Sequence, residues 1–141
     1  MKPSARLASI LDPVQRRLRD LTRASLAKHL PRGVTAGDAR VLRAVEQVGD
    51  QGVSAVAVAL GTSQPAATVA IARLESRGLV ARAPSSADGR RKQLALTSRG
   101  RQIELAHTAA DADTAEALLA PLSKTDRVQL VELLAKLADV G

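Results

Sequence analysis

The chain has 141 residues, with 21 Lys and Arg against 14 Asp and Glu, a net charge of +7, and no cysteine, Phe, Tyr or Trp. The length suits one domain with a real core, and the basic balance suits a polyanion or an anionic surface as partner. Without cysteine there is no disulfide framework, thiolate zinc site or thiol redox sensor. Without aromatic rings there is no stacking platform for single-stranded nucleic acid or RNA. No run of about 18 apolar residues points to a membrane span. The start MKPSARLASILDP lacks a signal peptide's apolar run, so the cytoplasm is the expected location. The charge is uneven: 1–45 and 72–101 are basic, whereas 102–141 is acidic.

Leu7, Ile10, Leu11, Val14, Leu18, Leu21 and Leu26 recur at helical spacing. Asp12, Pro13 and Gln15 read as a cap, a first-turn proline and a capping-box partner, which predicts a break at Leu11 and a helix from Pro13 to about Leu30. A single kinked helix is the alternative. Thr35 with Asp38 forms a second capping box, before the stripe Val41, Leu42, Val45 and Val48 and a stop at Gly49. Val53 is expected to add a strand residue. Ser54 is expected to cap a short helix containing Val56, Val58 and Leu60, and Gly61 to turn the chain. Ser63 caps the next helix, whose Ala67, Ile71 and Leu74 share a buried face. Gly78 stops it. Strand-like runs follow at Leu79 to Ala83 and Lys92 to Leu96, joined by a loop with Asp88, Gly89, Arg90 and Arg91. Thr97 caps a long helix to about Ala120. Pro121 breaks it, and Ser123 with Asp126 opens a last helix with Val128, Val131, Leu134 and Leu137.

Helix, turn, helix and a hairpin with a basic tip is the order of a winged helix-turn-helix, which sets one helix in a DNA groove and a loop beside it. The expected fold is mainly α with a small antiparallel β-wing. Residues 35–97 would form the DNA-binding unit, and 1–32 and 98–141 the dimerisation helices. The apolar stripes of the outer helices predict a homodimer, which would present two such helices to two half-sites of a palindromic operator.

The stretches LGTSQPAATVAIARLESRGLVAR and DGRRKQLALTSRG, with Thr35, Val41 and Leu42 before them, resemble the MarR family of bacterial regulators. The resemblance spans nearly the whole chain and is most specific over 60–100, where Asp88, Arg90, Leu96, Thr97 and Gly100 match the family's wing. It implies a homodimeric, sequence-specific, double-stranded-DNA-binding transcriptional repressor, relieved by a small molecule held between the dimer helices and the DNA unit. Two positions depart from the pattern. Gly89 stands where the family often has arginine, and Val69 where a basic residue is common; both lower the positive charge of the DNA face.

The residues expected at DNA are Ser63, Gln64, Pro65, Ala66, Thr68, Arg73, Asp88, Arg90, Arg91 and Lys92. Ser63 caps its helix, whose N-terminus attracts phosphate. Gln64 can pair with adenine or face solvent, and Pro65 and Ala66 are small enough for close approach. Thr68 lies one turn from Gln64 and can meet a base or a phosphate. Val69 can touch a thymine methyl or face solvent. Arg73 suits a phosphate or an intramolecular ion pair. By the resemblance Arg90 enters the minor groove, where a narrow A·T tract draws arginine. Asp88 would fix Arg90 or the loop backbone, and Arg91 and Lys92 would add phosphate charge. Arg16, Arg17, Arg19 and Arg23 can touch flanking phosphates or form a solvated face. His29 and His107, separated and without clustered carboxylates, make no metal site, and no cofactor is expected. No nucleophile elbow, P-loop or dinucleotide fingerprint is present, and Asp111 and Asp113 do not share a helix face, so an enzyme is not expected. The competing readings are a winged helix used as a protein-interaction scaffold and a non-specific architectural DNA protein.

Overall fold

The structure, a computed structural model, describes residues 1–84 and 92–139, Pro84 and Lys92 by backbone only. In chain order the elements are α1 (Pro3–His29), α2 (Ala36–Val48), a 3-10 turn (Gly49–Gln51), α3 (Val53–Leu60), α4 (Gln64–Ser76), β1 (Val80–Pro84), β2 (Lys92–Leu96), α5 (Ser98–Leu119) and α6 (Lys124–Ala138). The fold is mainly helical with a two-stranded antiparallel sheet, in which Val80 pairs Leu96, Arg82 pairs Leu94 and Pro84 pairs Lys92. The chain divides into two compact units. One is Leu26–Ala109; the other joins Met1–Ser25 to the segment from Ala110 onward.

The first unit holds the main core. Leu42 of α2, Val56 of α3, Ile71 and Leu74 of α4 and Leu79 are fully buried, and Leu94 and Leu96 of β2 with Ile103 of α5 join the same cluster. In an aromatic-free chain this core is made of aliphatic side chains packed between short helices and one hairpin. The caps act as the sequence indicates. Thr35 Oγ1 accepts from the Asp38 N–H at 3.0 Å, and an Asp38 oxygen accepts from the Thr35 N–H at 3.0 Å. Ser63 caps α4 and Ser123 caps α6 through their hydroxyls. At the end of α4, Gly78 takes a left-handed φ of 75°, the Leu79 N–H reaches the Leu74 carbonyl, and the Gly78 N–H reaches that of Glu75. This closure turns the chain directly into β1.

Three local expectations need correction, for the N-terminal helix, Asp12 and Val53, while Gly49 ends α2 as expected. The N-terminal segment is one helix with Pro13 inside it. Asp12 is not a cap but an exposed ion-pair partner of Arg16 one turn on, at 2.7 Å. Gly49 ends α2 with an ordinary right-handed φ of −60°; the left-handed turn falls at Gly52. Gly49 is small for another reason, since a Cβ there would strike the Leu94 carbonyl of β2. Val53 opens α3 rather than a strand, so α3 starts two residues early, with Gly52 instead of Ser54 in the cap position and no side-chain cap.

In the second unit α1 and α6 carry no buried residue. Leu7, Ile10, Leu11, Val14 and Leu18 on α1, and Val128, Val131, Leu134 and Leu137 on α6, are all exposed. Arg127 ties the turn between α5 and α6 by reaching Glu116 at 3.1 Å and the Leu122 carbonyl at 3.2 Å. No single helix among the described residues is long and apolar enough to cross a membrane.

Gly100, in the first turn of α5, sits against the Leu79 carbonyl, onto which an added Cβ would fall. A backbone group cannot step aside as a flexible side chain can. Gly100→Ala is therefore expected to destabilise the protein by about 1–3 kcal/mol, despite alanine's better helix propensity. Urea unfolding followed by circular dichroism tests this, with the exposed neighbour Arg99→Ala as a near-neutral control.

Candidate nucleic-acid interface

The helix-turn-helix is α3 and α4. The chain bends by 105° between them, across a turn at Gly61 whose φ is 65°. Ala67, Ile71 and Leu74 anchor α4 in the core, which leaves Gln64, Pro65, Thr68, Val69 and Ala72 exposed on its other side. The Ser63 hydroxyl accepts from the Ala66 N–H at 3.2 Å, so one free amide of the first turn is satisfied within the protein. Pro65 has no N–H to satisfy.

Two outward residues are held by partners that spacing alone does not reveal. The Ser54 hydroxyl donates to Gln64 Oε1 at 3.1 Å. Ser54 is thus a positioning partner of Gln64, not the helix cap expected for it, because α3 already begins at Val53. The Thr68 hydroxyl donates back to the Gln64 carbonyl at 2.9 Å. Its hydrogen is thereby committed to the helix, so in this arrangement Thr68 can accept from a base amino group but has no hydrogen to give a phosphate.

The C-terminal half of α4 is fastened by charge. Asp38, 1% exposed near the start of α2, accepts from Arg73 and, at 3.0 Å, from Arg77 Nη1. Arg77 Nη2 also donates to the Gly33 carbonyl at 2.9 Å. Of the two alternatives for Arg73, the structure shows the intramolecular ion pair. Burial pushes the Asp38 carboxyl up, but the Thr35 N–H, the Arg77 hydrogen bond and the Arg73 charge together outweigh it and hold the group below its ordinary value. Glu75 of α4 reaches Arg82 of β1 at 3.2 Å, which fixes the hairpin to the same helix. Asp88, Gly89, Arg90 and Arg91 lie outside the described residues, as does the Lys92 side chain.

A cavity of about 340 Å³ opens elsewhere in the same unit. Its polar walls are Arg40, Arg43, Gln47 and His107, and its apolar walls include Ala59 and Leu60. Arg43 Nε donates to Glu104 Oε1 at 3.0 Å, and the other Glu104 oxygen lies 3.6 Å from His107 Nδ1. His107 is thus a buried residue of α5. Among the described residues no group of His, Asp and Glu is arranged to hold a metal.

The comparisons agree with this geometry. The MarR-family model matches residues 32–91. A cysteine-to-serine mutant of MarR from E. coli is 27% identical, with 98% of each chain covered and a TM-score of 0.74. Together these matches support a MarR-family transcriptional regulator. PcaV of Streptomyces coelicolor, solved with its natural ligand, is 25% identical over 94% of each chain with a TM-score of 0.62. BpsR of Bordetella bronchiseptica, whose DNA binding is regulated by 6-hydroxynicotinic acid, is 24% identical over 99% of this chain and 97% of its own, with a TM-score of 0.70. No curated protein matches the sequence.

In this winged helix α4 is held by Asp38, a residue whose sequence pattern points only to capping. The signal lay in Arg73 and Arg77, four residues apart on one helix face, with an acid at Asp38 whose place in the capping box buries it. Because the folded pKa of Asp38 is lowered, its contribution is complete above the unfolded carboxylate value of about 3.9 and is lost as pH falls through the lower folded value. Asp38→Asn should lower stability at pH 7 by roughly 1.5–3 kcal/mol. The gap between the two proteins should narrow at about pH 3, read from urea midpoints at both pH values. Equal midpoints at pH 7 would show that the pair is not structural.

Proposed function

We propose that the protein is a homodimeric, sequence-specific repressor that binds a palindromic operator in double-stranded DNA and is released by a small carboxylate effector. The observation that carries the DNA-binding reading is α4. It is a capped helix set 105° from α3, buried along one side and exposed along five positions of the other, beside a hairpin whose loop is basic. Ser63 would offer the helix N-terminus to a phosphate. Gln64, oriented by Ser54, would face adenine, while Pro65 and Ala66 allow close approach. Arg73 acts by holding α4 through Asp38. Phosphate charge would come from Arg91 and Lys92 and minor-groove contact from Arg90, with Asp88 steadying the loop.

Two sets of residues support the finer parts. The exposed apolar side chains of α1 and α6 need cover, and a second copy supplies it with two-fold symmetry. The cavity bounded by Arg40, Arg43, Gln47 and His107 offers cationic and amide donors to an anion over an aliphatic floor. Arg40 and Leu60 also line a second cavity of about 260 Å³ that reaches Ala66, Ala70 and Arg73 of α4. An anion that draws Arg40 inward would therefore alter packing beside the DNA-reading helix. PcaV is solved with its natural ligand, and the DNA binding of BpsR is regulated by a carboxylic acid, which supports a small-molecule effector.

Selection from a random duplex pool, then competition at fixed salt, tests the DNA reading. The selected site should show two half-sites about one helical turn apart and should outcompete random duplex by about a thousandfold. Arg90→Ala should weaken binding by roughly 1–3 kcal/mol and reduce the salt slope by about one. Equal competition by random duplex would support an architectural protein, and absence of salt-sensitive binding a protein-interaction scaffold.

The effector reading is tested without DNA. Cyclohexanecarboxylate, titrated into ¹⁵N-labelled protein, should shift the amide signals of Gln47, Ala59, Leu60 and His107, whereas cyclohexanecarboxamide should not. Arg40→Gln should weaken the carboxylate roughly tenfold. Equal shifts by acid and amide, or none by either, would remove the anion from the cavity.

A further inference from the structure

The outward side of α4 has few groups that can read a base by hydrogen bonding. The Thr68 hydroxyl is turned back to the Gln64 carbonyl, and the Ser76 hydroxyl to the Arg73 carbonyl at 2.8 Å. The Arg73 guanidinium reaches Asp38. Pro65 and Ala72 have no polar side-chain atoms. Gln64 remains, with its amide oxygen oriented by Ser54 and its NH₂ left as a donor. One turn beyond Pro65 stands Val69, 71% exposed in the middle of the helix.

A valine in that place contributes nothing to the core, and its branched side chain makes it a weaker helix former than alanine. The same branching restricts it in a helix to essentially one rotamer, so its methyl groups are already placed before any partner arrives. The occupant of this face follows from charge as well as shape. The net charge of the chain is +7, and the hairpin beside α4 has a basic tip, which favours a duplex over an apolar protein. Within the major groove the apolar group on offer is the C5 methyl of thymine.

We propose that α4 reads thymine by methyl contact through Val69, with Gln64, five residues and about 7.5 Å earlier along the helix, reading an adenine. The inference rests on the DNA-binding reading above and adds a base identity to it. Specificity then comes from one amide and one apolar contact. The valine that lowers the charge of the DNA face is, on this reading, the residue that selects the site.

The test uses the selected operator and replaces each thymine of a half-site in turn by deoxyuridine. That change keeps every hydrogen-bonding edge and removes only the methyl. At one or two positions the affinity of the wild-type protein should fall about fourfold, the effect of one buried methyl-sized group. Val69→Ala, an exposed change whose fold is checked by circular dichroism, should bind the thymine site about as weakly as wild type binds the uracil site. It should also be indifferent to uracil at those positions, since the two removals delete one contact. Uracil tolerated at every position, or an equal loss in Val69→Ala, overturns methyl reading while the DNA-binding function stands. If no site is enriched over random duplex, both readings fall.

Discussion

The carboxylate of Asp38 is the group on which the DNA-facing geometry depends. It closes the capping box at the start of α2 and, from the same buried place, receives Arg73 and Arg77 of α4. One side chain therefore sets both where α2 begins and how α4 lies across it. Removing a charge of this size from water is costly, and it is tolerated here because each oxygen has partners: a backbone N–H and two guanidinium groups. The arginines keep much of their surface in solvent, so the pair is buried on the acid side only. The lowered pKa of Asp38 is the signature of that balance, with donors outweighing desolvation.

This arrangement decides how α4 can meet DNA. A helix with basic residues along its exposed face would draw much of its affinity from phosphates. In this chain Arg73 and Arg77 are directed to α2, and the rest of the face is Gln64, Pro65, Thr68, Val69 and Ala72. On the proposed function, non-specific affinity would rest on the basic loop sequence and on the basic segments around it, and the helix would be left to discriminate bases. Affinity and specificity would then be divided between two elements that Glu75 and Arg82 tie together.

Much of this fold was legible because its signals are local. Thr35 with Asp38, Ser63 and Ser123 are caps readable from three or four residues, and the Gly78 turn follows from a left-handed requirement within one closure. The buried set Ala67, Ile71 and Leu74 follows from helical period. What was not legible depends on neighbours distant in the chain. Pro13 sits inside α1 although its flanks imitate a helix start. Gly49 is a glycine because Leu94 approaches it from β2. Ser54 looks like a cap, but Gly52 takes that position and Ser54 turns to Gln64. Arg73 presents the same residue type to a phosphate or to a buried acid, and only the placement of Asp38 separates the two. The candidate site was thus legible as a surface, but not in which of its polar groups already had partners.

The two units differ in how complete they are. Residues 26–109 enclose an aliphatic core with fully buried side chains from α2, α3, α4 and the start of β1. In the other unit α1 and α6 bury nothing among the described residues, and their leucines and valines stay exposed. A stripe of that kind is stable only when something covers it. The proposed second copy would do so and would also fix the spacing of two α4 helices. The cavity beside Arg40 would act on a different variable. It lies within the unit Leu26–Ala109 and shares Arg40 and Leu60 with the space beside α4. An effector bound there would change how each α4 is seated, whatever the spacing set by the dimer. On the proposed function, repression would be governed by two separate quantities, the distance between the reading helices and the seating of each one. The Asp38 clamp is the restraint against which the second must work.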